Sequence, residues 1–125
     1  FLLSGATGSI TALADVLFPS ASFYEGLMED FDRTSELLTR LRILHPMVAT
    51  GLSVALIIET RKIQKDYKID VKFFQILVFI AVILGVLNVL SNILLLLSIL
   101  HLAIADLLWI TYIYVSMDKI KINHQ

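Results

Sequence analysis

The 125-residue sequence has no cysteine, only two prolines and five glycines, and few charged residues. Without cysteine there can be no disulfide, iron–sulfur cluster, zinc-thiolate site or covalent haem attachment through a C-x-x-C-H motif. Gly5-Ala-Thr-Gly8 lacks the Lys-Ser/Thr of a phosphate-binding loop, which dismisses nucleotide binding there. Ten Lys and Arg stand against eleven Asp and Glu, a net charge of −1, so there is no basic field for nucleic acid. Charged residues are 17% of the chain and hydrophobic residues 58%, against about 25% and about 45–50% in ordinary soluble domains. With a mean hydropathy of +0.84, the composition is that of one membrane domain.

Charge position turns this into spans. Residues 73–105 contain no Asp, Glu, Lys or Arg. As one helix they would run about 50 Å, too long for a hydrocarbon core of about 30 Å. Asn88, Ser91 and Asn92 supply turn-prone polar groups near the middle. They predict a tight hairpin between helices over 73–90 and 93–115. Another span covers 37–58. Residues 1–13 are uncharged but reach only about 20 Å as helix, which reads as a partial first span, truncated at its start. No basic segment precedes it, as a secretory signal would require. The expectation is an all-α, integral membrane four-helix bundle, a single domain over 1–125 with an outer loop at 14–36.

Lys and Arg placement orients the bundle. Arg61, Lys62, Lys65, Lys68 and Lys72 lie in segment 59–72, and Lys119 and Lys121 in the tail. The other side has Arg33, Arg40 and Arg42, diluted by Asp15, Glu25, Glu29, Asp30, Asp32 and Glu36. Segment 59–72 and the C-terminus are therefore expected on the cytoplasmic or matrix side of a multi-pass protein, in a prokaryotic cytoplasmic or mitochondrial inner membrane. In the outer segment, Phe18-Pro19-Ser20 breaks the first helix. Phe23, Tyr24, Leu27, Met28 and Phe31 then recur at helical spacing. They predict either an amphipathic helix at the interface or a lid over a site opening outward.

Of the three histidines, His124 sits in the polar tail and reads as inert, whereas His45 and His101 lie inside spans, where polar groups are costly and tend to be functional. Both fall in the outer half of the bilayer, on different helices, so the imidazoles can face each other across the core. Ala49 and Ala105, each four residues on, leave room for a planar macrocycle, with Val48, Leu97, Ile104 and Leu108 available for its edges. Arg40 and Arg42 sit at the water boundary, where propionates would emerge. Zinc would want a third ligand, and Asp106 is about 140° around the helix from His101. The readings left open are paired haem ligation through His45 and His101, hydrogen bonds between helices, or a proton relay.

Three smaller features carry two readings each. Pro46 is either an ordinary membrane-helix proline or a kink that aims His45 inward. Asp106 reads as a buried hydrogen-bonding group near Trp109 and Tyr112 or as part of a proton path. Asp15 reads as a helix cap or exposed acid, or as a group exchanging protons at the outer boundary. Gly5, Gly8 and Ala12 lie near one face of the first helix and mark close helix packing.

Leu41-Arg-Ile-Leu-His45-Pro46, Leu84-Gly-Val-Leu-Asn88-Val-Leu and Leu100-His101-Leu-Ala-Ile-Ala-Asp106-Leu-Leu-Trp109 together resemble the C-terminal half of the heme A synthase family. So does Gly5-Ala-Thr-Gly-Ser-Ile-Thr-Ala-Leu-Ala-Asp15, followed by Phe18-Pro19. The resemblance implies an oxidoreductase that converts a methyl group of heme O, its substrate, to the formyl of heme A for terminal oxidase assembly. It implies non-covalent haem b held by His45 and His101 as bis-histidine ligands. It also implies two pseudo-symmetric bundles, of which one is present here. The outer-loop cysteine pair of many members is missing. The chain is then either the second half of a longer protein or a half-length, homodimeric form, with lipid, haem and heme O synthase as partners. By pseudo-symmetry the family's outer-loop acid would match Asp15. The alternatives are a non-catalytic b-type cytochrome that passes electrons and a haem-free membrane subunit.

Overall fold

The computed structural model describes residues 1–67, 70–91 and 94–123, all of them in helices or connecting turns. Lys68, the hairpin residues Asn92 and Ile93, His124 and the side chains of Lys119 and Lys121 lie outside the described residues. Six helices follow in order: α1 (Leu2–Leu17), α2 (Phe23–Phe31), α3 (Leu37–Leu41), α4 (Leu44–Tyr67), α5 (Lys72–Leu90) and α6 (Leu95–Asn123).

Local chemistry sets each boundary. Pro19 disfavours helical backbone at Phe18, which leaves the helix at φ −134° and ends α1. Ser22 caps α2 by accepting the Glu25 N–H, while Glu25 reaches back to the Ala21 N–H, so two otherwise orphaned donors are satisfied. Asp70 accepts the Lys72 N–H at 3.0 Å at the start of α5.

Three stretches are long and apolar enough to cross a membrane: Leu37–Asp66, Lys72–Leu90 and Leu95–Met117. The last two occupy the stretches expected as helices over 73–90 and 93–115, with Asn92 and Ile93 of the expected turn outside the described residues. The span expected over 37–58 differs in two ways. It breaks at Arg42 and Ile43 into α3 and α4, and α4 then continues to Tyr67. The extension exists because Arg61, Lys62 and Lys65 are good helix formers, and because Ile63, 2% exposed, packs with Val71 and Val115. Most of the basic segment 59–72 is therefore helix.

Helix α5 lies along α6, α1 lies against α3 and α4, and α4 meets α5. The apolar core is confined to the end of the bundle away from α2. There Leu56, Phe74, Leu77, Val78 and Leu108 pack together with Tyr112 and Phe1 against them. The Phe1 ring meets Trp109 edge-on at 4.8 Å. At the α2 end the only buried apolar side chain among the described residues is Ala14.

Candidate functional site

That core stops short of the level where the two intramembrane histidines sit. His45, in the first turn of α4, and His101, on α6, bring their rings to 6.4 Å between centroids, with planes at 86°. A metal–imidazole bond is about 2 Å, and the ring centre lies about 1.1 Å behind its nitrogen. Two such bonds in line thus set centroids about 6.2 Å apart. The pair therefore fits the spacing of two axial ligands on one iron.

Each ring rests on a glycine. A Cβ on Gly8 of α1 would come within 3.1 Å of His45 Cε1, and one on Gly85 of α5 within 3.2 Å of His101 Cε1. Gly5 has nothing within 4 Å, so of the predicted small-residue face Gly8 carries the close approach to His45. Gly85 escaped sequence reading. Its signal was available, since Gly85 and His101 are equidistant from the middle of the hairpin and so lie at one depth. Val48, Ala49, Leu97 and Ala105 are half-buried. Leu108 and Ile104, expected at the macrocycle edge, belong to the apolar core instead.

The two imidazoles are held differently. The Thr7 hydroxyl donates to its own helix, with Leu3 O at 3.0 Å and Ser4 O at 3.1 Å. Its lone pairs are thus what face His45 Nδ1 at 3.4 Å. With the proton on Nδ1 that contact is a hydrogen bond to Thr7, and Nε2 keeps its lone pair. His101 Nδ1 is buried and has no hydrogen-bond partner among the described residues. An orphaned buried nitrogen of this kind is uncommon in a finished core.

Pro46 lies in the first turn of α4, inside the Leu37–Asp66 stretch and just after its interruption at Arg42 and Ile43. It has no N–H to offer the Arg42 carbonyl. That carbonyl instead accepts the His45 N–H at 3.2 Å and the Thr11 hydroxyl of α1 at 3.2 Å.

The Arg42 side chain departs from expectation. It does not stand at the water boundary awaiting propionates. It is 7% exposed and bonds Asp30 at 2.9 Å, Asp15 at 3.1 Å and Glu29 at 3.1 Å, with Ser20 Oγ and Gly26 O completing its donors. Arg40 remains exposed. Burial raises the Asp15 carboxyl above its ordinary range, outweighing the pull of Arg42, and does the same to Asp30. The Ser20 hydroxyl, donating at 2.6 Å, lowers Glu29. Asp15 is therefore a tethered acid, and the cage clamps α2 onto α1 and α3. The opposite face of α2 exposes Phe23, Tyr24, Leu27, Met28 and Phe31, as an interfacial helix requires.

Asp106 is exposed, on a face of α6 away from His101. No group of three or more His, Cys, Asp and Glu that could hold a metal occurs among the described residues. His45 and His101 offer two ring nitrogens, the number a haem takes from a protein, since its porphyrin supplies the other ligands.

Two curated relatives, from two strains of Thermus thermophilus and both named protoheme IX farnesyltransferase, are 26% identical over 125 residues, 96% of this chain. The chain spans about a fifth (21%) of the length of each. No solved structure matches it. Residues 4–113, including both histidines, both glycines and the Arg42 cage, match the model of a family described as cytochrome oxidase assembly protein. The chain belongs to that family, COX15-CtaA, the heme A synthase family.

Proposed function

We propose that this chain is the haem-b-binding bundle of a heme A synthase, the oxidoreductase that converts a methyl group of heme O to the formyl group of heme A. His45 and His101 would hold the haem iron from two helices through their Nε2 atoms. The observation that carries this reading is the 6.4 Å separation of two imidazoles borne by different helices. Held in this way, haem supplies one-electron chemistry. The residues of the chain do the rest. Thr7 fixes the tautomer of His45, Gly8 and Gly85 give the rings their places, and the apolar core below keeps water out. Exposed Arg40 is the cation left for a propionate. The similarity to proteins named for farnesylating protoheme IX supports a haem-handling role and heme O synthase as a partner. The distribution of Lys and Arg supports a C-terminus on the cytoplasmic or matrix side.

The test is the absorption spectrum of the full chain purified in detergent after haem supplementation. A Soret band with bis-imidazole character is expected, lost or converted to a five-coordinate spectrum in His45→Ala and in His101→Ala. Absence of the band, or bands unchanged in both variants, overturns the assignment. Coexpression with a heme O source then reports the reaction. Bound haem without heme A or a hydroxylated intermediate would make the bundle an electron-transfer module.

A further inference from the structure

The two imidazoles differ in what keeps them in place. Thr7 faces His45 Nδ1 at 3.4 Å, whereas the buried His101 Nδ1 has no partner among the described residues. The His101 ring is therefore placed by how α5 and α6 sit against each other. Of their buried apolar side chains, the nearest are Val78 and Leu108. Each lies two turns inward of Gly85 or His101, about 10 Å along the helix axis. Outward of them, one side-chain hydrogen bond joins the two helices among the described residues: the Ser98 hydroxyl donates to Asn88 Oδ1 at 3.1 Å, sharing its proton with Leu94 O at 3.3 Å. Asn88, expected to help turn the hairpin, is half-buried inside α5. It stands three residues beyond Gly85, and Ser98 stands three residues before His101. On antiparallel helices the bond thus falls one turn outward of the His101–Gly85 contact, on the same face.

We propose that Ser98 and Asn88 are the positioning pair of His101: their hydrogen bond sets the register of α5 against α6 so that the imidazole seats on Gly85. Within the hydrocarbon layer little water competes for the hydroxyl and the amide. The seat is narrow in register. A Cβ on Gly85 would already come within 3.2 Å of His101 Cε1. One turn away on the same face of α5 stand Ala81 and Asn88, whose side chains would occupy the place of the ring. A slip of one turn in either direction therefore unseats it. Ser98 and Asn88 do for His101, through the helices, what Thr7 does for His45 through Nδ1. The placement needs no haem; its consequence for an iron ligand rests on the function proposed above.

The first test is nuclear magnetic resonance of the full chain in detergent without haem, labelled with carbon-13 in histidine and glycine. A cross-peak between His101 Hε1 and the Gly85 Hα protons is expected in the parent and in Ser98→Thr, which keeps the hydroxyl. It should be lost in Ser98→Ala and in Asn88→Leu, with the double variant no worse than either, because each removes the same bond. Far-UV circular dichroism shows that the variants keep their helices. With haem added, Ser98→Ala should release it about threefold to tenfold faster than the parent, the effect of one interhelical hydrogen bond, and should show a five-coordinate component. In the Ser98→Ala background, His45→Ala should abolish that component and His101→Ala should leave it, which identifies His101 as the ligand displaced. A cross-peak missing from the parent, undiminished in Ser98→Ala or lost equally in Ser98→Thr overturns the positioning role, as does a five-coordinate component that depends on His101. A parent with the cross-peak and no Soret band overturns the haem reading instead and leaves the register standing.

Discussion

Replacing Arg42 with methionine keeps most of the side-chain volume and removes the charge around which the α2 end is built. Arg42 is 7% exposed, and its guanidinium has three carboxylates within 3.1 Å, at Asp15, Glu29 and Asp30. The Asp15 and Asp30 side chains are 15% and 13% exposed, so the substitution strands two largely buried acids. Breaking a buried ion pair from one side costs about 3–5 kcal/mol. Glu29, at 38% exposure, is screened by water and adds no more than the ~1 kcal/mol of a surface pair. A loss of about 3–4 kcal/mol corresponds to a fall in melting temperature of about 10–20 °C in a chain of this size. Arg42→Lys should recover part of it, since a lysine keeps the charge and loses the fork.

The pH dependence gives a second, signed check on the same variant. Burial holds Asp15 and Asp30 above their ordinary 3.8. Their contribution to stability is present in full below 3.8 and is lost as pH rises through the folded values. Glu29, held below its ordinary 4.5, acts the other way: its contribution is present above 4.5 and lost as pH falls through the folded value. Without Arg42, Asp15 and Asp30 rise further and gain more from acid. The deficit of Arg42→Met, followed by circular dichroism melts in detergent, should therefore shrink between about pH 7.5 and about pH 5. A variant within ~1 kcal/mol of the parent, or a deficit equal at both pH values, refutes the cage as the clamp on α2.

Other substitutions separate packing from propensity. Gly5→Ala, with open space around its Cβ, should stabilise the bundle by about 0.5–1 kcal/mol, the ordinary gain for glycine in a helix interior. Gly8→Ala and Gly85→Ala push on the imidazoles and should cost about 1–3 kcal/mol while lowering haem content; equal effects at positions 5, 8 and 85 would contradict the contacts. Tyr112→Phe removes the hydroxyl that donates to Glu59 Oε2 at 3.1 Å. It should cost about 0.5–1.5 kcal/mol in the same melts, and a more stable variant would show that the pair is not formed.

The membrane spans were legible because hydrocarbon excludes charge, and the run 73–105 is uncharged and far too long for one crossing. Helix ends were less so. Counting charge stops a span at Glu59, whereas the backbone of α4 follows propensity and the burial of Ile63 to Tyr67. His45 and His101 could be paired from depth alone, since spans fix axial position. The Arg42 cage could not be read in that way. Asp15, Glu29 and Asp30 look like solvated charge along the chain, and they converge only because the turn at 18–22 folds α2 back over α3. Gly85 was hidden by its setting, a lone glycine in an apolar run, until the hairpin was used as a mirror.

These features meet in one stretch of main chain. The side chain of Arg42 is taken by the carboxylates of α1 and α2, and its carbonyl by Thr11 and the N–H of His45. Pro46 makes the second arrangement necessary, because a residue with an N–H at position 46 would claim that carbonyl for the α-helix and draw α3 and α4 into one rod. The break instead starts α4 at Leu44 and leaves His45 in its first turn, beside Thr7 and Gly8. His45 is consequently anchored through its backbone, its Nδ1 and the floor under its ring. His101 rests on Gly85 and keeps a buried Nδ1 without a partner among the described residues. If the two hold one iron, as proposed, this unequal anchoring predicts that His101 is the ligand that lets go first.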